Sequence, residues 1–542
     1  VTAPICMPVF VSVRRVKAFN TTGPCDPDRH YMLDPLARLP EARGLVEQGK
    51  YFVVHAPRQT GKTTALAALA RELNATGRYA AVSFSCEVAR MTGDDVGWTE
   101  RLVLRSIQDA ARTLGMPQGC LPPTPWPENI PGFTLIEGLR VWADQSPRPL
   151  VLLFDEIDSL AGTGLESVLS QLRDGYTSAD TPFPHAVVLC GMRNVRDYQA
   201  ASDGDPDRLG TPTPFNVSAA SLRIGDFSFA DVAELYGQHT AATGQVFTDY
   251  AVQRAFEASQ GQPWLVNALA RDVIEMMRVP LDQSITDTHM EQAMGRLITQ
   301  RATHLDSLVV QLDEPHIRRF IEPMITGGWV LKEQSYSDDL SYARDLGLVT
   351  RSLPLQIANP IYQEAIVQVL AQPLLDGIDA DPSALLLPDG RLDIAMLLEE
   401  FVAFWKVNSK IIDTRYTYQE AACHLAFMAF CRQVVNGDGF IDLEYGLGRK
   451  RLDLAIRKPF TDGRGCRAVQ WSAFELKVRT DDNGDQVSSG LEQLDGYLNR
   501  LALDTGTLIV FDRRRDAAPT SERTRLTEAE TPKGRMVTLL LA

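Results

Sequence analysis

Glu475 and Lys477 stand two apart in Ala473-Phe474-Glu475-Leu476-Lys477-Val478, and Asp453 stands upstream in Lys450-Arg451-Leu452-Asp453-Leu454-Ala455-Ile456. Both runs read as β-strands. Alternate residues of a strand share a face, so Glu475 and Lys477 point one way while Phe474, Leu476 and Val478 face a core. Asp453 on a neighbouring strand can join them. Carboxylate oxygens suit Mg²⁺ or Mn²⁺. A metal held there can polarise a phosphodiester, and Lys477 can orient the attacking water or offset developing charge. Glu420, on an apolar helix one turn before His424, can add a metal ligand, and Gln493 follows on the next helix. The plain structural alternative is an edge-strand Glu–Lys ion pair.

A second constellation lies far upstream. Ala56-Pro57-Arg58-Gln59-Thr60-Gly61-Lys62-Thr63, continuing into Thr64, follows the apolar run Tyr51–His55 and precedes a helical pattern. Strand, glycine turn and helix is the context of a phosphate loop. Its backbone N–H groups would surround phosphates, Lys62 would neutralise the β/γ pair and Thr63 would hold Mg²⁺. Ala56 stands where the usual pattern has glycine, which is tolerable if φ is negative. The apolar run Leu150–Phe154 then ends in Asp155-Glu156. A parallel strand delivers such acids beside the phosphate loop, where Asp155 would bind Mg²⁺ through water and Glu156 would polarise the attacking water.

The elements needed to position these groups are legible in outline. Apolar runs at Ala80–Phe84, Pro149–Phe154 and Ala186–Gly191 alternate with helical patterns, implying a parallel sheet covered on both faces. Residues 115–135, rich in proline and glycine, read as a surface loop. Helical patterns follow at Phe229–Thr240, Asp249–Gln260, Pro263–Met277 and Asp287–Arg301. The segment ending in Asp345–Val349 and Leu355–Ala358 reads as the hairpin of a winged helix. Residues 371–390, with their prolines and aspartates, read as a linker. Beyond it come helices at Ile394–Trp405 and Tyr418–Val435, strands at Phe440–Tyr445, Arg451–Ile456 and Val469–Val478, a helix at Val487–Leu501, and strands at Thr507–Phe511 and Met536–Leu541.

With 542 residues the chain needs about two to four domains. We expect an ATPase core at 1–225, a helical lid at 226–302, a winged-helix-like module at 303–372, a linker at 373–393 and a second α/β domain at 394–542. The net charge of −15 argues against a wholly nucleic-acid-binding surface. From Ile441 onward, however, 17 basic residues face 16 acidic ones, against 37 and 53 in the remainder. A basic groove is therefore easiest to build in the C-terminal segment. No apolar run reaches the length of about 18 residues that spans a membrane. The apolar start Val1–Phe10 precedes Arg14, Arg15 and Lys17, the reverse of a secretion leader. The eight cysteines form no C-x-x-C pair and read as reduced residues of a cytoplasmic protein. Asp481–Asp485 lacks the spacing of a calcium loop and reads as a turn, and His424 reads as a packed core histidine.

On the two upstream motifs, with His185–Gly191 ending in Met192-Arg193-Asn194 and with Gly261-Gln262-Pro263, residues 19–370 resemble AAA+-like ATPases of the STAND group. That resemblance implies ATP and Mg²⁺ as cofactors, Arg193 as a γ-phosphate sensor and Pro263 as the residue that reports nucleotide state to the lid. It assigns no arginine finger; Arg193, Arg196 and Arg223 remain open. The order Glu420, Asp453, Glu475-x-Lys477, Gln493 across residues 395–542 resembles the PD-(D/E)xK nuclease superfamily, with Leu452 where that family's proline would stand.

The combined expectation is an α/β multidomain protein: a P-loop ATPase with lid and winged helix, then a PD-(D/E)xK-type nuclease domain. Its activity would be ATP-regulated, metal-dependent cleavage of nucleic acid, most simply DNA, by a homo-oligomer with no membrane partner; the pairing of the two domains resembles bacterial AAA-like ATPase–nuclease fusion proteins, and that resemblance implies a role in defence or mobile-element control. The rival is an ATP switch whose C-terminal domain binds nucleic acid or protein without cutting.

Overall fold

Tyr51 and Val53 of the first strand pack into one apolar cluster, while Phe52 and Val54 pack into another. Leu150, Leu152 and Phe154 divide in the same way from Val151 and Leu153. This alternation, with both faces buried, is what a parallel sheet sandwiched by helices requires. In the computed structural model the sheet has five strands: β1 (Tyr51–His55), β2 (Ala80–Ser85), β3 (Leu150–Asp155), β4 (Ala186–Gly191) and β5 (Ser221–Arg223). Their order is β2-β3-β4-β1-β5, and every pair is parallel. The structure describes residues 17–178, 180–192, 219–299, 338–352, 355–375, 385–415, 426–431, 440–447, 450–462, 465–481, 484–514 and 516–542, with scattered positions at 312–324 and 423–424.

One face of this sheet carries α1 (Ala42–Glu47) and α2 (Lys62–Ala75), and the other carries α3 (Val96–Thr113), α4 (Thr134–Gln145) and α5 (Gly162–Thr177). The proline-rich stretch 115–135 is not a free surface loop. Cys120 is buried, the Trp126 indole donates to Leu104 O at 3.1 Å, and the Gln108 amide donates to Pro123 O at 2.6 Å. A loop that carries its own tryptophan into the core is packed whatever its proline content.

The helical segment contains α6 (Phe229–Thr243), α7 (Asp249–Ser259), α8 (Pro263–Arg271) and α9 (Asp287–Thr299). Ser228 opens α6 with a capping box shared with Asp231, and Gly244 closes it in the left-handed region. The helix expected to run from Pro263 to Met277 instead loosens into one wide turn at Asp272–Met276. Buried Asp272 is paired there with Arg296 of α9 at 2.9 Å. Of the winged helix expected at 303–372, the described part includes α10 (Asp338–Asp345), the turn at Gly347, a contact in which Ala358 N–H donates to Leu348 O at 2.9 Å, and the start of the helix Pro360–Leu375. Most of residues 300–337 lie outside the described residues.

Contact clustering separates residues 1–304, 336–351 and 358–361 from a second unit of 305–335, 352–357 and 362–542. The second unit is built on a six-stranded mixed sheet, ordered β10-β11-β9-β8-β7-β6. Its strands are β6 (Phe440–Leu447), β7 (Lys450–Thr461), β8 (Arg467–Arg479), β9 (Thr507–Asp512), β10 (Arg525–Glu530) and β11 (Met536–Leu541). Two long helices, α11 (Pro360–Leu375) and α12 (Ile394–Arg415), precede them, and α13 (Gln486–Leu501) connects β8 to β9. One face of the sheet, through Phe474 and Phe511, meets Phe401 and Trp405 of α12 and Phe427. The other, through Ala455, Ala473, Leu508 and Val510, meets Leu494, Tyr497 and Leu498 of α13.

Two expectations are corrected here. Part of the linker is folded: Leu386 bridges Leu392, and the Gln470 side chain of β8 exchanges hydrogen bonds of 2.7 and 2.9 Å with Leu392 N and O. A primary amide that satisfies both backbone groups of one residue acts as a surrogate strand neighbour. Strand β10 was not anticipated; its Arg-Leu-Thr-Glu-Ala-Glu sequence is a mostly exposed edge with no apolar run to signal it. Among the described residues no helix is long and apolar enough to cross a membrane. Cys190, Cys423 and Cys431 are buried and unbridged, as expected.

Candidate functional site

The C-terminal ends of β1 and β3 converge on the start of α2. Between His55 and Lys62 the backbone turns through two left-handed residues, Gln59 (φ 58°) and Gly61 (φ 91°). Ala56 is not among the positive-φ residues, so the methyl group in place of glycine meets no backbone penalty. Lys62 Nζ donates to Ala56 O at 2.9 Å and to Pro57 O at 2.8 Å, folding the ammonium back over its own loop. Burial pulls the Lys62 pKa below the ordinary lysine value. A poorly solvated ammonium is ready to exchange two carbonyl dipoles for a phosphate.

Thr63 Oγ1 donates to Asp155 Oδ2 at 2.5 Å, joining the two halves of the motif. Asp155 is 3% exposed. Burial raises its pKa, against the Thr63 hydrogen bond and the Lys62 charge, which lower it. A hydroxyl and a hard carboxylate oxygen at this separation are a donor pair that suits Mg²⁺. Glu156 follows in a left-handed conformation (φ 55°) unusual for a side chain of its size, which turns it away from the strand axis. Its Oε2 accepts from Ser85 Oγ at 2.7 Å, and Ser85 Oγ also accepts from Glu87 N–H at 3.0 Å. Asp158 accepts from Met192 N–H at 3.3 Å.

These groups open into a cavity of about 1010 Å³. Arg58, Gln59, Thr60, Gly61, Lys62 and Thr63 line its floor. Pro263, Trp264, Asn267 and Arg271 of α8 line it from the lid, and Asn20–Cys25 closes a third side. That third wall is tied to both others. Cys25 N–H donates to Thr64 Oγ1 at 3.1 Å, the Trp264 indole donates to Thr21 O at 2.8 Å, and Arg271 Nη1 donates to Thr21 Oγ1 at 2.6 Å.

The structure thus brings Arg58 to Thr64, Asp155, Glu156 and Pro263 to one cavity, while Ala56 and Pro57 lie outside its lining and reach it through their carbonyls on Lys62. Arg193 and Arg196 lie outside the described residues. Arg223 is described and does not line the cavity; it ends β5, pairs with Asp226 at 3.7 Å and belongs to a charged cluster with Asp345 and Arg351. Sequence reasoning missed Ser85, Asp158, Arg38 and the Thr21–Trp264 contact. Ser85 had a signal, because it ends the strand beside Asp155; the others depend on distant parts of the chain.

In the second unit, β8 carries Glu475 and Lys477 on one face, as alternation requires. Lys477 Nζ lies 2.7 Å from Glu475 Oε1, and Glu475 is 1% exposed. The covering element is α13. A Cβ on Gly490 would lie 2.6 Å from Leu508 and 3.3 Å from Lys477 Cγ, so the glycine sets how closely the helix approaches the pair. Gln493 is half-buried on the same helix. Strand register runs Leu454↔Phe474 and Ala455↔Ala473, so the backbone of Asp453 follows directly beyond that ladder, level with Glu475. The Asp453 side chain and all of Glu420 lie outside the described residues. Among the described residues no group of three or more His, Cys, Asp or Glu side chains is placed to hold a metal. Asp485 caps α13, accepting from Val487 and Ser488 N–H groups, the role of a helix cap and not of a calcium ligand.

Similar solved structures share little sequence with this chain. A Walker-type ATPase of Pyrococcus abyssi is 13% identical, with 64% of this chain and 99% of that one covered and a TM-score of 0.44. The ORC1 protein of Aeropyrum pernix, solved in complex with DNA, is 14% identical over 64% and 96%, with a TM-score of 0.34. The RuvB Holliday junction branch migration motor of Thermotoga maritima is 14% identical over 59% and 89%, with a TM-score of 0.32. No family model matches the chain, and no curated protein matches it. Likenesses this remote do not say what the chain binds or does.

Proposed function

We propose that this protein binds and hydrolyses ATP in its first unit and uses the second as a metal-dependent nuclease on DNA, assembling as a homo-oligomer. The observation that carries the nucleotide half is the 2.5 Å contact between Thr63 and Asp155, which joins the start of α2 to the end of β3 at the floor of the cavity. Loop N–H groups, among them that of Gly61, would bind the phosphates while Lys62 leaves the Ala56 and Pro57 carbonyls for the β/γ bridge. Thr63 and Asp155 would hold Mg²⁺, which supplies charge neutralisation at the transferring phosphoryl group. Glu156 would accept a hydrogen bond from the attacking water once released from Ser85. Pro263, at the first turn of α8, would transmit the state of the cavity to the lid, and Arg193 would sense the γ-phosphate.

In the second unit, Glu475 with Asp453 and Glu420 would hold Mg²⁺ or Mn²⁺, which polarises the scissile phosphate. Lys477 would orient water, and Gln493 would face the substrate from α13. The rival reading, an ATP switch with a non-cutting C-terminal unit, draws on the closed Glu475–Lys477 pair, which is also what a structural ion pair looks like. Plasmid, single-stranded DNA and RNA incubated with protein, ATP and Mg²⁺ or Mn²⁺ separate the two. Cleavage that EDTA and Glu475→Ala abolish, with ATP turnover intact, supports the nuclease. DNA binding that persists in EDTA without any nicking supports the switch.

A further inference from the structure

Arg38 closes a short turn, Pro35–Arg38, that Asp34 caps by accepting from Leu36 N–H at 2.9 Å. It is far from the phosphate loop in sequence and touches it in space. Its Nη1 donates to Thr60 O at 2.9 Å and to Gly225 O at 3.1 Å, and its guanidinium lies over the Phe227 ring at 4.8 Å from the centroid. Burial lowers its pKa, opposed by Asp226 and Asp231. An arginine never loses its proton in practice, so this site keeps a half-buried cation beside the loop.

Two consequences follow from covalent geometry. In a trans peptide the C=O and the next N–H point in opposite directions. Holding the Thr60 carbonyl on Arg38 therefore fixes the Gly61 N–H on the opposite side of that peptide, within the loop that would take the phosphates. Gly61 can adopt this pose because it has φ 91° and because a Cβ there would lie 3.0 Å from Arg38 Nη2.

The other contacts lead to the lid. Phe227 N–H donates to Gly261 O at 2.8 Å. Gly261 has φ 76°, and a Cβ on it would fall 1.8 Å from Phe227 O, so the two strands of chain interlock. Gln262 then caps α8 by accepting from Leu265 N–H at 2.6 Å, and Pro263 begins the helix. One guanidinium thus bonds the loop, the Gly225–Phe227 connector and, through Phe227, the turn that aims the lid.

We infer that Arg38 is a positioning residue that orients the phosphate-facing Gly61 amide and makes the lid turn respond to phosphate occupancy. This rests on the nucleotide reading of the cavity. Lysine in its place keeps the charge but has neither a planar face for Phe227 nor a rigid head that fixes the directions in which Nη1 donates to Thr60 O and Gly225 O.

The test compares wild type, Arg38→Lys and Phe227→Leu by calorimetric ATP titration, steady-state turnover, and amide hydrogen exchange over residues 261–271 with and without saturating ATP. In wild type, ATP slows exchange in that segment. In Arg38→Lys, ATP affinity falls about tenfold, within the usual range of coupling between sites, and saturating ATP no longer slows exchange there. Phe227→Leu loses the ATP-dependent protection with a smaller fall in affinity, because the Arg38–Thr60 contact stays, and this also decides the matter if Arg38→Lys folds poorly. Wild-type protection in both variants at saturating ATP overturns the inference and leaves the nucleotide reading standing. Failure of wild type to bind ATP overturns both.

Discussion

Both candidate sites hang acids on β-strands, but they are assembled differently. At the cavity, Asp155 ends β3, Thr63 begins α2, Ser85 ends β2 and Pro263 begins α8, and all reach one space. On β8, Glu475 Oε1 and Lys477 pair within a single strand beneath α13. Convergence of separate elements on an open cavity is hard to account for by stability alone. A two-residue ion pair on one strand is accounted for by stability alone, so the chemical reading of the second site depends on Asp453 and Glu420.

The largest expected effect would break the comparison at its stronger end. Glu156→Gln should leave ATP binding intact and lower turnover by about a thousandfold, the usual scale for a lost general base. Turnover near wild type would return Glu156 to the role of a partner for Ser85. Lys62→Ala should weaken ATP by about a hundredfold, the scale of losing charged hydrogen bonds. Unchanged affinity in a calorimetric titration would remove the loop from the site.

Two smaller effects sharpen it. Asp155 has a raised pKa, so its ionised form costs the folded state stability. That penalty is absent below the carboxylate's unfolded pKa and grows as pH rises through the folded value. Asp155→Asn should therefore melt higher than wild type at neutral pH without nucleotide, and the gain should vanish on acidification while Mg²⁺–ATP binding weakens. A lower melting temperature at neutral pH would contradict the assigned burial penalty. Smallest, Ser85→Ala should raise basal ATP turnover about fivefold by releasing Glu156 from one hydrogen bond, provided the hydroxyl restrains the carboxylate. A fall in turnover would mean that Ser85 aims Glu156 instead of holding it back.

The turn between β1 and α2 was legible because its residues are contiguous and strand–turn–helix context brackets them. Asp155 and Glu156 were legible because an apolar strand must end somewhere, and parallel strands end together. Most helices of residues 226–302 were legible from apolar periodicity, and the departure at Asp272–Met276, where Asp272 pairs with Arg296 of α9, was not. Strand β10 escaped notice because an exposed edge needs no apolar residues. The folded end of the linker escaped because Gln470 supplies its hydrogen bonds from β8. Neither Arg38 nor Thr21 carried any local mark of its place.

By itself, the amino-acid sequence determined which segments become buried strands, where the phosphate loop bends and which acids the strands carry, because these follow from residue type and short-range spacing. Only the tertiary structure decided that Arg38 grips the Thr60 carbonyl, that Ser85 holds Glu156 and that Glu475 lies under α13 against Lys477. Those contacts join residues remote along the chain or set their burial, and a side chain's partner in such cases is chosen by packing, which no local pattern encodes.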